Sequence, residues 1–199
     1  MSGIRRLFCL IAVFVVCLSF TSCGSADNLE TINATLKSPC DVRVSSPYGS
    51  INVVPYAYNF SYAVNAKEWS SAVADSSHPI DMVYDKFVEV FFTKKTKLTF
   101  DFAVKPDKLI YVRRYDASLN DPEFDEEDRS LSETIERRAQ YEEYEEIEIP
   151  SEMIFPYTLI VENDSAYIYE IAAIWDREDF RGTGYYSFMV RKRNRNAGK

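Results

Sequence analysis

Residues 166–175, AYIYEIAAIW, constrain the fold more than any other stretch of the chain. A strand points successive side chains to opposite faces, so Tyr167, Tyr169, Ile171, Ala173 and Trp175 share one face while Ile168, Glu170, Ala172 and Ile174 share the other. Both sets are largely apolar. A strand that is apolar on both faces has to be covered on both, which places it in the middle of a sheet. Residues 185–191 follow with Tyr186, Phe188 and Val190 together, and the intervening DREDFRGTG, with its charges and two glycines, predicts a long-looped hairpin.

The same alternation recurs upstream. Leu98, Phe100, Phe102 and Val104 face one way across residues 97–104, and Lys-Pro-Asp-Lys then turns the chain into 109–115, predicting a second hairpin. Further strands are expected at 41–45, 51–54, 59–64, 88–92, 145–149 and 155–161. Short strands separated by turn signals describe an all-β domain of sandwich or barrel type. Only residues 126–146 carry helical chemistry, with Ser130 or Ser132 able to cap and Glu133, Glu136, Arg137 and Arg138 supplying spaced charges. Few apolar residues recur there at helical spacing, so this acidic insert is expected outside the core, as a short helix or a loop.

The first residues have a different character. Arg5 and Arg6 precede an uncharged run over 7–20, which reads as the n-region and h-region of an export signal, folding as a signal helix. A spanning helix needs about 20 apolar residues, so cleavage is the expected fate of this shorter run. Phe20-Thr21-Ser22-Cys23-Gly24 then resembles the lipobox of bacterial lipoproteins, which implies lipidation at Cys23 and a chain held to membrane lipid on the extracytoplasmic face of the cell membrane. This divides the chain into a signal peptide at 1–22, a lipidated cysteine and flexible tether at 23–38, a β-sandwich domain at 39–193 and a basic tail at 194–199.

Charge and cysteine count narrow the function classes. The net charge of −8 makes nucleic acid an unexpected partner. Cys9 and Cys17 fall in the signal and Cys23 is the lipid site, so Cys40 alone remains and no intramolecular disulfide is expected; it reads as a small apolar residue at a strand edge. With one histidine in the chain, no zinc set and no cofactor are expected.

At residues 74–82 (ADSSHPIDM), at 109–115 with the preceding Lys-Pro-Asp, and at 167–175 followed by Gly184-Tyr185-Tyr186-Ser187-Phe188, the chain resembles a group of uncharacterised lipoproteins from Firmicutes, especially clostridia. The resemblance implies a cell-surface immunoglobulin-like β domain, of a kind also found as the extracellular portion of membrane sensor proteins. It implies no particular activity or ligand.

Several constellations bear on chemistry. His78 between Asp75 and Asp81 has the residue types of a hydrolase, but Pro79 and the preceding Asp75-Ser76-Ser77 favour a turn, and no nucleophile signature accompanies the histidine. The acidic run 121–128 (DPEFDEED) lacks the glycine and spacing of a calcium loop and reads as a solvated face. Tyr48, Tyr56, Tyr58 and Tyr62 are dense in aromatic surface, with Trp69 nearby, and such residues build binding surfaces when exposed. Tyr56, Tyr58, Trp69 and His78 are therefore the candidate ligand-binding residues. The expected role is a non-enzymatic, lipid-anchored binding or sensing module for a surface protein or polysaccharide. A hydrolase built on His78, Asp75 and Asp81, and a structural envelope spacer, are the alternatives.

Overall fold

A computed structural model describes residues 36–90, 95–150, 154–162 and 164–193. The signal segment 1–22, Cys23 with the tether as far as residue 35, and the basic tail 194–199 lie outside the described residues. Eleven strands and one α-helix are described: β1 (Val42–Ser46), β2 (Gly49–Val53), β3 (Ala57–Asn65), β4 (Glu68–Ala74), β5 (Phe87–Val90), β6 (Lys95–Phe102), β7 (Lys108–Asp116), α1 (Leu131–Gln140), β8 (Tyr144–Glu146), β9 (Tyr157–Glu162), β10 (Tyr167–Asp176) and β11 (Phe180–Lys192).

The strands form two mostly antiparallel sheets packed face to face, an all-β sandwich. The smaller runs β2-β1-β6-β9 and the larger β4-β3-β11-β10-β7-β8, with β5 pairing in parallel with the far end of β11. β10 sits between β11 and β7 in the larger sheet, where its two apolar faces require it to be. Its Tyr169, Ile171, Ala173 and Trp175 meet Val42, Val44, Leu98, Phe100 and Phe102 of the smaller sheet in one core. Trp175 is fully buried, with Phe102 at 5.9 Å and Phe60 at 6.0 Å between ring centroids, and its Nε1–H donates to Val104 O at 3.0 Å. Burying such a ring removes roughly 200 Å² from water and contributes about 5 kcal/mol before the entropy of ordering it is counted.

Two turn readings are corrected. Residues 97–104 and 109–115 are not a hairpin: β6 pairs with β1 and β9, whereas β7 pairs with β10 and β8 in the other sheet. Their Lys-Pro-Asp-Lys connection crosses from one sheet to the other, with Tyr157 Oη donating to Pro106 O and Asp107 N–H to Ile174 O. Alternation tells which face of a strand is buried, not which strand lies beside it, and both strands feed the same core from opposite sides. The β10–β11 connection is also shorter than its composition suggests, because β11 begins at Phe180 and only residues 177–179 turn. The two glycines are strand residues. At Gly182 (φ +154°) a Cβ would lie 2.2 Å from Asn59 O, and at Gly184 it would lie 2.8 Å from Pro39 Cβ, so both permit close approach of neighbouring chain.

β4 corresponds to no predicted strand, since EWSSAVA is built mainly of serine and alanine. At the N-terminal side, Leu36, assigned by sequence to the tether, packs against the core. Cys40 Sγ lies 3.3 Å from Val104 N and 3.5 Å from Val104 O, and burial raises its thiol pKa, so it serves as a packed strand-edge residue. No helix among the described residues is long and apolar enough to cross a membrane.

Candidate functional site

The outer face of the larger sheet, turned away from the sandwich core, is where the polar chemistry collects. Cross-strand register sets Arg113 of β7 and Ser187 of β11 directly opposite Glu170 of β10, with Tyr115 and Ile168 one step along the face and Tyr111, Ala172 and Tyr185 one step the other way. Part of this face is covered. The 3₁₀ turn Pro79–Asp81 lays Ile80 on Tyr115 and Ile168, giving a small second core in which all three are essentially inaccessible. Ala117, Leu119 and Tyr141 pack around it.

Glu170 is the one charge in β10 before its terminal Asp176, and it is 5% exposed. Three phenols converge on it. Tyr56 Oη donates to Oε1 at 2.5 Å, Tyr111 Oη to the same oxygen at 3.1 Å, and Tyr115 Oη to Oε2 at 3.3 Å. A carboxylate has about four acceptor sites, so it can hold this many donors while buried. All three phenols have raised pKa values, first because burial disfavours the phenolate and then because Glu170 repels it, so they stay protonated as donors.

His78 enters the cluster through Tyr115, whose Oη is 3.4 Å from Nε2, while Nδ1 accepts from Ile80 N–H at 3.4 Å. Acceptance at Nδ1 assigns the proton of the neutral ring to Nε2, giving the relay His78 Nε2–H, Tyr115 O–H, Glu170. The imidazole stacks on Tyr141 at 4.0 Å and meets Tyr115 edge-on at 5.2 Å. Burial lowers its pKa to about 4, with Arg137 and Arg113 adding to the shift and Asp81 opposing it. The unfolded state therefore binds more protons between that value and the ordinary 6.5. Stability is fully present above pH 6.5 and is lost as pH falls toward 4. The gap sets a ceiling of about 3 kcal/mol, and for a half-exposed ring we expect about 1–2 kcal/mol. Urea titrations at pH 7 and pH 5 should show this loss in the wild type and most of it removed in His78→Gln. An equal loss in the variant would assign the pH dependence elsewhere.

Arg137 of α1 fixes the covering segment. It is 7% exposed, and each of its five N–H groups has an acceptor: Nε donates to Asp81 Oδ1 at 2.7 Å, Nη1 to Leu119 O and Gln140 Oε1, and Nη2 to Asp81 Oδ1 and Ile80 O. Tyr141 Oη takes the other Asp81 oxygen at 2.5 Å. The helix starts at Ser130, which forms a reciprocal capping box with Glu133; Ser132 lies inside it. Its apolar residues point outward, with Leu131 77% and Ile135 59% exposed.

Arg113 differs from Arg137. Its guanidinium is held between the rings of Tyr111 and Tyr144, at 4.0 and 4.1 Å, and its buried Nε makes no hydrogen bond. The stack stands at the border between the covered and open parts of the face, beside Tyr56 and Tyr185, whose rings lie 6.5 Å apart. Tyr56, Tyr111, Tyr144 and Tyr185 are all half-buried, presenting ring surface with their hydroxyl ends or neighbours already fixed.

Of the residues picked out by sequence, Tyr56 and His78 are thus brought together through Glu170 and Tyr115. Tyr58 packs against the sandwich core instead. Trp69 lies on the outer face opposite Ala63, under the Arg181 guanidinium at 4.7 Å. At about 3.3 Å per residue, that is roughly 20 Å along β3 from Tyr56. Asp75 is exposed and accepts from Ser76 N–H, apart from His78, while Asp81 is taken up by Arg137 and Tyr141. Among the described residues, no serine or cysteine hydrogen-bonds to His78. In the acidic run, Asp121 and Asp125 cap the backbone N–H groups of Glu123 and Glu127, and among the described residues no three His, Cys, Asp or Glu side chains gather as a metal site. Glu170, Tyr111, Arg113, Tyr115 and Tyr144 were missed by sequence; a lone carboxylate inside an apolar strand was the available signal for the first. Comparison of the chain with protein-family models, curated proteins and solved structures finds no match in any of the three.

Proposed function

We propose that the chain is a lipid-anchored extracytoplasmic binding or sensing module of immunoglobulin-like type, non-enzymatic, whose ligand is a surface protein or polysaccharide. One observation carries this reading. Glu170, His78 and Asp81 are each engaged by fixed partners, so the ionisable groups brace the sheet, while ring surface of Tyr111, Tyr144, Tyr56 and Tyr185 stays accessible around Arg113. Rigid aromatics with an arginine among them are what binding surfaces concentrate. The anchor rests on the lipobox-like Phe20–Gly24 stretch and Cys23. The immunoglobulin-like assignment rests on the resemblance together with the two-sheet architecture.

A photo-crosslinking amino acid placed at Tyr111 in the full chain, in its native membrane, tests the surface. Adducts with envelope protein or polymer are expected at Tyr111 and not at Ile160, which is exposed on the smaller sheet. Arg113→Ala should lower their yield about tenfold or more. Equal labelling at both positions, or none at Tyr111, would leave a spacer role as the better reading. Release of Cys23→Ala chain into the medium checks the anchor separately.

A further inference from the structure

The larger sheet ends on two different kinds of edge. β8 is three residues long and two of them are glutamates, a guarded edge. β4 is seven residues long, pairs only with β3 among the described residues, and carries no charge or proline from Trp69 through Ala74. Its one register irregularity falls at its start, between Ala63 and Asn65 of β3. Trp69 and Val73 stand on the outer face of this strand, 42% and 70% exposed. An uncharged, regular edge with apolar side chains on one face is a template for pairing with another strand.

The sequence of β4 selects its own copy as that strand. We infer that two copies of this chain associate edge to edge through β4, antiparallel and centred on Ser71. A two-fold axis at Ser71 sets Trp69 against Val73 of the partner subunit and Val73 against the partner subunit's Trp69, so that each exposed apolar residue gains one. On the inner face it sets Ser70 against Ala72, small against small. A slide of two residues either way loses this: Trp69 then meets Ser71 or Asp75, and Val73 meets Lys67 or Ser71. Directly opposed side chains in an antiparallel pair are the ones that interact, so this register is the one the strand favours. Ser71 Oγ hydrogen-bonds to Ser61 Oγ at 3.0 Å, which confirms that Ser71 points to the outer face with Trp69 and Val73. Association would join the two larger sheets into one and align their outer faces, so it goes beyond the proposed binding role without depending on it.

Ser71→Cys in the full chain, oxidised in its native membrane, tests the register. Residues facing across the axis have Cβ atoms about 4.5–5.5 Å apart, close enough to form a disulfide after small adjustment. A covalent dimer is expected on non-reducing gels. Trp69→Cys and Val73→Cys should crosslink to each other when co-expressed, and neither should crosslink alone. Adding Val73→Lys to Ser71→Cys should cut the dimer yield at least tenfold, through an unmatched charge on the edge. The inference fails if oxidised Ser71→Cys stays monomeric while its thiol still reacts with maleimide. It also fails if Ser50→Cys, on the smaller sheet, crosslinks equally well, since that would mean random collision.

Discussion

Glu170→Ala is expected to lower the unfolding free energy in a urea titration by about 3–4 kcal/mol. Removing a buried carboxylate recovers its own desolvation cost, but here three phenols are left behind. Tyr115 is fully buried and loses the acceptor of its hydroxyl, since His78 Nε2–H donates to it and cannot accept from it; Tyr56 and Tyr111 are half-buried and can turn partly to water. A buried donor without a partner costs about 1–3 kcal/mol, so the fully buried phenol dominates the loss. Glu170→Gln should cost less, about 1–2 kcal/mol, because its carbonyl still serves two phenols while its amide cannot accept from the third. Coupling between the carboxylate and the phenol requires non-additivity: Glu170→Leu combined with Tyr115→Phe must cost less than the two changes summed. If the double variant is simply additive, the carboxylate and the phenol are not coupled and the cluster is only a set of neighbours.

That cluster also shows what was legible in the sequence. Period-two alternation identified β10 as central and put Glu170 on the face opposite Trp175, because alternation is local and both faces had to be buried. For α1 the sequence offered Ser130 or Ser132 as the cap and left helix or loop open; the structure uses Ser130, whose capping box with Glu133 is complete within four residues. Pairing was less readable. β6 and β7 carry apolar stripes suited to a hairpin, yet they lie in different sheets, and nothing within either strand encodes its neighbour. β4 went unseen because serine and alanine are weak strand formers, and its place is set by pairing with β3. Tyr56 and His78 could be singled out by residue type, but Tyr58, two positions from Tyr56, faces the other way. The chain enters β3 only at Ala57, so the alternation that would put both on one face does not extend back to Tyr56. Arg113 and Tyr144 meet only because β8 returns to the edge of β7, a long-range pairing.

Arg137→Met is the other large effect, and its signature differs. The substitution keeps the aliphatic stem but leaves the Asp81 carboxylate, 6% exposed in its side chain, with Tyr141 as its remaining hydrogen-bond partner, and takes donors from Ile80 O and Leu119 O. Breaking one side of a buried ion pair costs about 3–5 kcal/mol because the surviving charge is stranded. Where that cost appears follows from α1 itself. Ten residues is below the length at which an isolated helix is stable, about 12–15, and Leu131 and Ile135 face solvent, so Arg137 is the helix's principal attachment. Loss of the guanidinium should therefore release the helix before the sandwich unfolds. Amide exchange in α1 is expected to quicken at least tenfold, while the amides of β10 and β11 keep their protection. Arg137→Lys should not rescue, since an ammonium has three donors and no planar fork, whereas the site uses five donors aimed at Asp81, Gln140 and two carbonyls. Combining Arg137→Met with Asp81→Leu should recover about 2–3 kcal/mol of the summed single losses, because no charge is then left unpaired. A lysine variant as well protected in α1 as the wild type would mean that charge alone holds the helix, and that the geometry of the fork is incidental.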